Sequence, residues 1–200
     1  AADLRLVLDA VARPDPADTA MAPTLPSPQF SNLKQLRIAV WSHQPGQPAE
    51  RETTDAIDAL GDRLEREGAS VSRTARPEFD PLDAYRLYLM LLNAAWSGTA
   101  SDAVVVREIA TAARLPPEDL SDHALLIRGA GMTHHPCLGL NDRRHVVRRA
   151  WTAFYRAWDV QLSPALATAA VPPRQARDTW PRRISAEGGA TYSPAPHGRA

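Results

Sequence analysis

The chain of 200 residues is 44% hydrophobic and 23% charged, a balance typical of one soluble domain with its own core, which excludes disorder throughout. Its 23 basic and 23 acidic residues cancel, so the net charge gives no global field that would attract nucleic acid or an anionic membrane. The single cysteine, Cys137, excludes an intrachain disulfide, and the cytoplasm is the expected location. The longest apolar run, residues 87–95, is far shorter than the ~20 residues that cross a bilayer.

The N-terminal region is predicted to be a short helix followed by a linker. An apolar helical pattern covers residues 3–12 and ends at Pro14 and Pro16. More prolines follow before residue 29, and because proline removes a backbone donor and fixes φ, this stretch is expected to run over a surface. The expected domain plan is a helix, a linker, an α/β region and a low-complexity tail, at residues 1–13, 14–32, 33–184 and 185–200 respectively.

The next segment predicts a strand, a helix and a second strand. Leu36, Ile38 and Val40 alternate with less apolar residues, and an amphipathic helix then ends at Gly68. A weaker strand centred on Val71 follows, so a right-handed parallel βαβ unit is expected. The loop at residues 42–48 holds one glycine and two prolines, which argues against the glycine-rich turn of a dinucleotide site.

Three helices are predicted after Asp80. The first is apolar around most of its circumference, so several neighbours should cover it. Two shorter helices are expected at residues 104–113 and 122–127, separated by Pro116 and Pro117.

A last helix is predicted to begin at Asn141 or Asp142, either of which can cap it. Its inner face carries an apolar stripe spaced by four, three and four residues, which favours core packing over a cofactor box. The stripe consists of Val147, Trp151, Phe154 and Trp158. A strand at residues 159–164 should follow.

The order of several strings resembles the amidase-signature family, which cleaves carboxamides with a serine nucleophile. The strings are residues 2–9, 33–41, 141–144 and 159–166, with Trp151 and Phe154 between the last two. The resemblance covers residues 2–184 and implies an α/β class: a partial amidase-signature fold, rich in helices, with a short βαβ unit and a late strand. It also implies that residues 1–13 are the helix from the end of the catalytic core region.

The family's catalytic groups cannot be placed on this chain. The resemblance implies a nucleophilic serine, a second serine in a cis peptide, and a lysine base. Lys34 is the only lysine, and its polar surroundings indicate a surface residue. The Gly188-Gly189 pair has no serine pattern around it. We therefore expect no catalytic, cofactor-binding or metal-binding residue here.

The chain begins without methionine and its tail departs from the family pattern, so we expect a fragment whose missing N-terminal half carries the Ser-Ser-Lys core. The resemblance implies that the full-length enzyme acts on a small-molecule amide and needs no cofactor. It also implies a possible homodimer. We expect no nucleic-acid partner and no membrane partner.

One cluster of potential metal ligands occurs, in the segment Thr133-His134-His135-Pro136-Cys137. Zinc needs three or four converging ligands, and His123 and His145 are predicted to lie on separate elements. A polar loop is therefore the preferred interpretation.

An arginine-rich helix face could bind phosphates, because charge neutralisation dominates nucleic-acid binding. The residues are Arg143, Arg144, Arg148 and Arg149. Since no recognition fold accompanies them, we expect a solvated face, or one paired with the absent half.

Two functions remain open from the sequence. The chain is a portion of an amidase-signature hydrolase, inactive alone, that supplies scaffold and substrate-channel walls. Alternatively, it is a non-catalytic α/β interaction module that docks the apolar helix around Tyr85–Leu92 against another chain.

Overall fold

The computed structural model describes residues 2–11, 29–44, 48–168, 184–185 and 191–192. The chain divides into two compact units, residues 1–32 and 33–200. The first unit contains helix α1 (Ala2–Val11), which confirms the predicted N-terminal helix. Most of the predicted linker, and the Gly188-Gly189 pair, lie outside the described residues.

The second unit is built on a parallel sheet of three short strands. Strand β1 (Arg37–Val40) lies between β2 (Ser70–Ser72) and β3 (Val160–Leu162). Ile38 pairs with Val71 on one side and with Val160 on the other. Ile38 and Val40 are each only 1% exposed, so β1 is the centre of this core. The predicted βαβ unit and late strand are therefore confirmed.

Helix α2 (Arg51–Arg66) connects β1 to β2 and covers the sheet. Its residues Ile57 and Leu64 pack against the buried cluster of Ile38, Val40 and Ala69. Gly68 then takes φ +98°, the left-handed conformation that glycine adopts most easily, and lets the chain turn from α2 into β2. The predicted glycine stop is confirmed.

Three helices follow in the chain and pack together, and the first and third of them form a second core. They are α3 (Pro81–Ser97), α4 (Asp102–Ala112) and α5 (Asp122–Ala130). The Asp80 side chain caps α3 by accepting hydrogen bonds from the amides of Leu82 and Asp83. Leu89 is 1% exposed and packs with Leu125 and Leu126 of α5.

Helices α3 and α5 approach each other closely at Gly129. A Cβ atom at this position would collide with the backbone of Met90, so glycine is needed for the approach. The Asn93 amide donates to the Leu126 carbonyl at 2.6 Å and satisfies a polar group between the two helices. The expectation that several neighbours cover α3 is confirmed, since both α5 and the last long helix contact it.

That last helix, α6 (His134–Ala157), begins at His134 and not at Asn141 or Asp142. The sequence-based start was wrong because residues 133–137, which include Pro136, were interpreted as a polar loop. Pro136 falls in the first turn, where backbone amides have no intrahelical acceptor and a missing N–H costs little. Asn141 does not cap the helix: its side-chain oxygen accepts from Arg144 within α6.

The start of β3 is clamped to the start of β1 by Arg37 and Asp159. The Asp159 carboxylate accepts from the Arg37 amide at 2.9 Å, from Nε at 3.0 Å and from Nη2 at 2.7 Å. In return, the Asp159 amide donates to the Arg37 carbonyl at 2.9 Å. These hydrogen bonds from Arg37 lower the pKa of Asp159.

Part of the C-terminal segment forms a small antiparallel pair. Strands β4 (Ile184–Ser185) and β5 (Thr191–Tyr192) pair with each other, with Ile184 opposite Tyr192. The remainder of the predicted low-complexity tail lies outside the described residues. Of the helices described, none combines the length and apolar character that crossing a bilayer requires.

The clamp predicts an acid-sensitive contribution to stability. Because folding lowers the pKa of Asp159, its contribution is complete above the unfolded value of about 3.9 and is lost as pH falls through the folded value. Asp159→Asn should lower the urea midpoint at neutral pH and have much less effect at about pH 2.

The matched control is Glu67→Gln, which removes the carboxylate of an exposed pair with Arg63 on α2. Such pairs contribute little, so its midpoint should stay close to that of the wild type at both pH values. Equal effects of the two substitutions at neutral pH would contradict the special role of the clamp.

The early start of α6 predicts opposite effects for two glycine substitutions. A Cβ at Gly139 meets nothing within 4 Å, so Gly139→Ala should stabilise the helix by about 0.5–1 kcal/mol. Gly68→Ala should destabilise by about 1–3 kcal/mol, because alanine disfavours positive φ. Denaturant unfolding measures both. A neutral or destabilising Gly139→Ala would show that residues 134–140 are not helical.

Candidate functional site

Aromatic side chains cluster at the carboxyl end of the sheet. Trp41 follows β1 directly and is 5% exposed. Its ring lies 6.0 Å, centroid to centroid, from the Trp151 ring of α6. Trp151 also contacts Phe79 at 5.6 Å, Phe154 edge-on at 5.6 Å, and Tyr155 in a stacked arrangement at 5.5 Å. We call these five residues the aromatic cluster.

Arg76 lies over the Trp41 ring of the aromatic cluster. Its guanidinium carbon lies 4.9 Å from the Trp41 ring centroid, within the range of a cation–π contact. Nη1 donates to the carbonyls of Val40, Arg73 and Ala75 at 3.3, 3.2 and 2.7 Å. Burial lowers the pKa of Arg76, because partial desolvation disfavours the charged form.

A groove of about 190 Å³ lies between α3 and α6 beside the aromatic cluster. Its walls are mostly apolar, and Phe79 is shared with the cluster. Across its rim Asp83 of α3 accepts a hydrogen bond from Nη2 of Arg143 at 3.0 Å. The lining residues are Phe79, Asp80, Asp83, Ala84, Leu87, Arg143, Val146 and Val147.

Lys34 lies away from the cluster, in a 3₁₀ turn (Leu33–Gln35) that precedes β1. It is exposed, as predicted, and its aliphatic stem covers Gly68: a Cβ at Gly68 would approach Lys34 Cγ to 2.9 Å. This packing gives Lys34 a structural contact at the end of α2.

Several serine hydroxyls hold local structure and not a catalytic dyad. Ser72 accepts from the amides of Thr74 and Ala75 in a turn. Ser97 donates to the Ala94 carbonyl within α3, and Ser121 caps α5 by accepting from the amide of Ala124. These three hydroxyls are used by the turns and helix ends in which they lie.

The potential metal ligands do not converge in the part of the chain that the structure describes. His134, His135 and Cys137 lie in the first turns of α6, so the predicted polar loop was wrong. His123 is in the first turn of α5, and His145 contacts Asn141 within α6 at 3.4 Å. No three His, Cys, Asp or Glu residues among those described form a metal-binding group.

The predicted arginine face of α6 is exposed, and two of its residues have partners within the chain. Arg143 pairs with Asp83 of α3 at 3.0 Å, and Arg144 donates to Asn141. The face is therefore exposed on this chain, and its pairing with another part of the enzyme stays a prediction.

The sequence model of the family described as Amidase matches residues 1–187. The chain belongs to the amidase family. No curated protein matches it. The match confirms the family resemblance, and with the helix-rich α/β architecture it confirms the partial amidase fold. The family assigns an amidase-type hydrolase to this chain.

Sequence reasoning on this amidase-family chain missed the contact of Trp41 with Trp151 and the position of Arg76. Trp151 was expected in a core, and Trp41 at the end of a strand, but nothing in the pattern paired them. The available signal was topological: the carboxyl ends of parallel strands meet at one edge of a sheet. Arg76, four residues after β2, falls near that edge for the same reason.

The aromatic cluster predicts that Trp151 stabilises the amidase-family chain more than an exposed tryptophan does. Trp151→Ala removes contacts with four rings and should cost about 3 kcal/mol in urea unfolding. Trp96→Ala, at a side chain that is 44% exposed, should cost less than half as much. Equal losses would show that the cluster adds nothing beyond ordinary burial.

Proposed function

We propose that this chain is a portion of an amidase-signature hydrolase that cleaves carboxamide C–N bonds, and that it supplies scaffold and substrate-channel walls without the catalytic groups. The carrying observation is the position of Lys34. It is the only lysine of the chain, it is exposed, and its stem packs on Gly68.

A catalytic lysine must be neutral to accept a proton, and enzymes achieve this by burying it or placing it near other positive charges. Lys34 has neither the burial nor the position for such a role, since it precedes β1 while the aromatic cluster lies beyond the other end of that strand. A serine nucleophile would need the base within about 3 Å. The serines that hold turns and caps do not provide that arrangement.

The groove between α3 and α6 supports a role as a channel wall. Complete small-molecule sites usually enclose about 300–1,000 Å³, whereas this groove has a volume of about 190 Å³. Its apolar lining with a few charged groups is nevertheless typical of a binding surface. A wall that a second part of the enzyme completes fits both properties.

The proposal includes the partners of the chain. The missing N-terminal half would carry the Ser-Ser-Lys core, and the substrate would be a small-molecule amide. The enzyme would work in the cytoplasm as a homodimer. No cofactor and no nucleic acid or membrane partner is required for amide hydrolysis of this kind.

The alternative, a non-catalytic interaction module, is less well supported. Its proposed docking helix places Leu87 and Leu89 inside the chain, at 5% and 1% exposure. Those side chains already pack within the second core, so the apolar character of α3 is explained without another protein. Only Tyr88, at 53% exposure, keeps a large exposed ring in that stretch.

The proposal predicts that the purified 200-residue chain does not hydrolyse amides. Ammonia release from benzamide should equal that of a Lys34→Ala variant and of buffer alone. Gly139→Ala is the matched control, because it is a folded variant, purified in the same way, that keeps every serine and the lysine. Release that rises in proportion to chain concentration would contradict the proposal, and its loss in Lys34→Ala would place the base on this chain.

A further inference from the structure

The carboxyl edge of the sheet has the topology of a ligand site. Strand β1 is central: β2, the next strand in the chain, lies on one side of it, and β3, which follows β2, lies on the other. In open parallel sheets, ligands bind outside the carboxyl ends of the strands at the position where the strand order reverses. Here that position is the end of β1, where Trp41 begins the aromatic cluster.

Trp41 carries a buried donor without an acceptor. The residue is only 5% exposed, and its indole Nε1 is buried without a hydrogen-bond partner among the described residues. An unsatisfied buried donor is unfavourable because it has lost its hydrogen bond to water, so such a group in a folded protein calls for a physical explanation. The backbone amide of Trp41, in contrast, is satisfied, since it donates to the Leu162 carbonyl at 2.8 Å.

Arg76 adds a positive charge with spare donors. Its three hydrogen bonds within the described part of the chain all use Nη1, which leaves Nε and Nη2 for another acceptor. Nearby Arg73 differs, because it forms ion pairs with both Asp62 and Glu65. The backbone carbonyls fix the Arg76 guanidinium over the Trp41 ring but leave its charge unbalanced by any carboxylate in the described residues.

We propose that Arg76 and Trp41 form a binding site for a carboxylate attached to an aromatic ring. A carboxylate accepts two parallel hydrogen bonds from a guanidinium, and the free Nε and Nη2 edge of Arg76 has that geometry. With Arg76 held over the Trp41 ring, the remaining lone pairs of the bound carboxylate accept from Nε1 of the same indole. The aromatic part of the ligand packs on the neighbouring rings of Trp151 and Phe79.

The inference goes beyond the proposed function, since binding needs no amide turnover and no second part of the enzyme. Amide hydrolysis by the chain would contradict the proposed function without affecting the binding site, and a failure to bind benzoate would contradict the binding site without affecting the proposed function. Charge-assisted hydrogen bonds contribute about 1.5–3 kcal/mol, so loss of the Arg76 contact should weaken binding about tenfold or more.

The test is a titration of the full chain, labelled with ¹⁵N, with benzoate, followed by the indole N–H signals. The chain has five tryptophans, and Trp41→Phe identifies the signal of interest. This signal should shift downfield and saturate with benzoate. The neutral isostere benzamide should bind about tenfold more weakly or worse, because it cannot pair with the guanidinium charge.

Arg76→Gln should weaken benzoate binding about tenfold or more, and Arg76→Lys should weaken it less, since lysine keeps the charge but not the fork. Arg73→Gln is the matched control and should change the affinity less than about threefold. Inorganic phosphate distinguishes a general anion site from a carboxylate site and should bind more weakly than benzoate.

Three results would overturn the proposal. The first is a Trp41 indole signal that does not shift when benzoate is added. The second is an equal affinity of the chain for benzoate and benzamide. The third is an equal loss of benzoate affinity in Arg73→Gln and Arg76→Gln. If neither Arg76 variant folds, the comparison of benzoate with benzamide on the wild-type chain decides the matter.

Discussion

The sheet of this chain depends on the clamp between Arg37 and Asp159. The two residues are 122 positions apart, and the strands that they join have only four and three residues. Short strands offer few ladder hydrogen bonds to offset the entropy of closing such a long loop. The clamp adds three hydrogen bonds to one carboxylate and one between the backbones, so it fixes β3 beside β1 at a single register.

That register determines where α6 lies. Asp159 comes two residues after the helix ends at Ala157, so anchoring Asp159 also anchors the last turns of α6. Trp151 is then placed against Trp41, at the carboxyl end of β1, and Val147 against α3. The aromatic cluster and the groove are both consequences of this placement, which connects an ion pair at one end of the sheet with a candidate binding surface at the other.

The local patterns of the sequence predicted most elements because they report on single strands and helices. Alternation marked β1, the glycine at residue 68 marked the end of α2, and Asp80 marked the start of α3. Pro136 misled the prediction of α6, since proline in a first turn and proline in a loop look alike. The aromatic cluster could not be predicted, because Trp41, Phe79 and Trp151 meet only once sheet register and helix packing are both fixed.

Net neutrality conceals an uneven distribution of charge. Arg63, Arg73 and Arg143 each lie beside a carboxylate, so their charges are balanced locally. Arg76 is held by backbone carbonyls and an indole ring, which orient the guanidinium without neutralising it. A cation fixed in this way keeps a positive potential at the carboxyl edge of the sheet, which attracts an anion. The neutral net charge therefore says nothing against recognition of one small carboxylate at this edge.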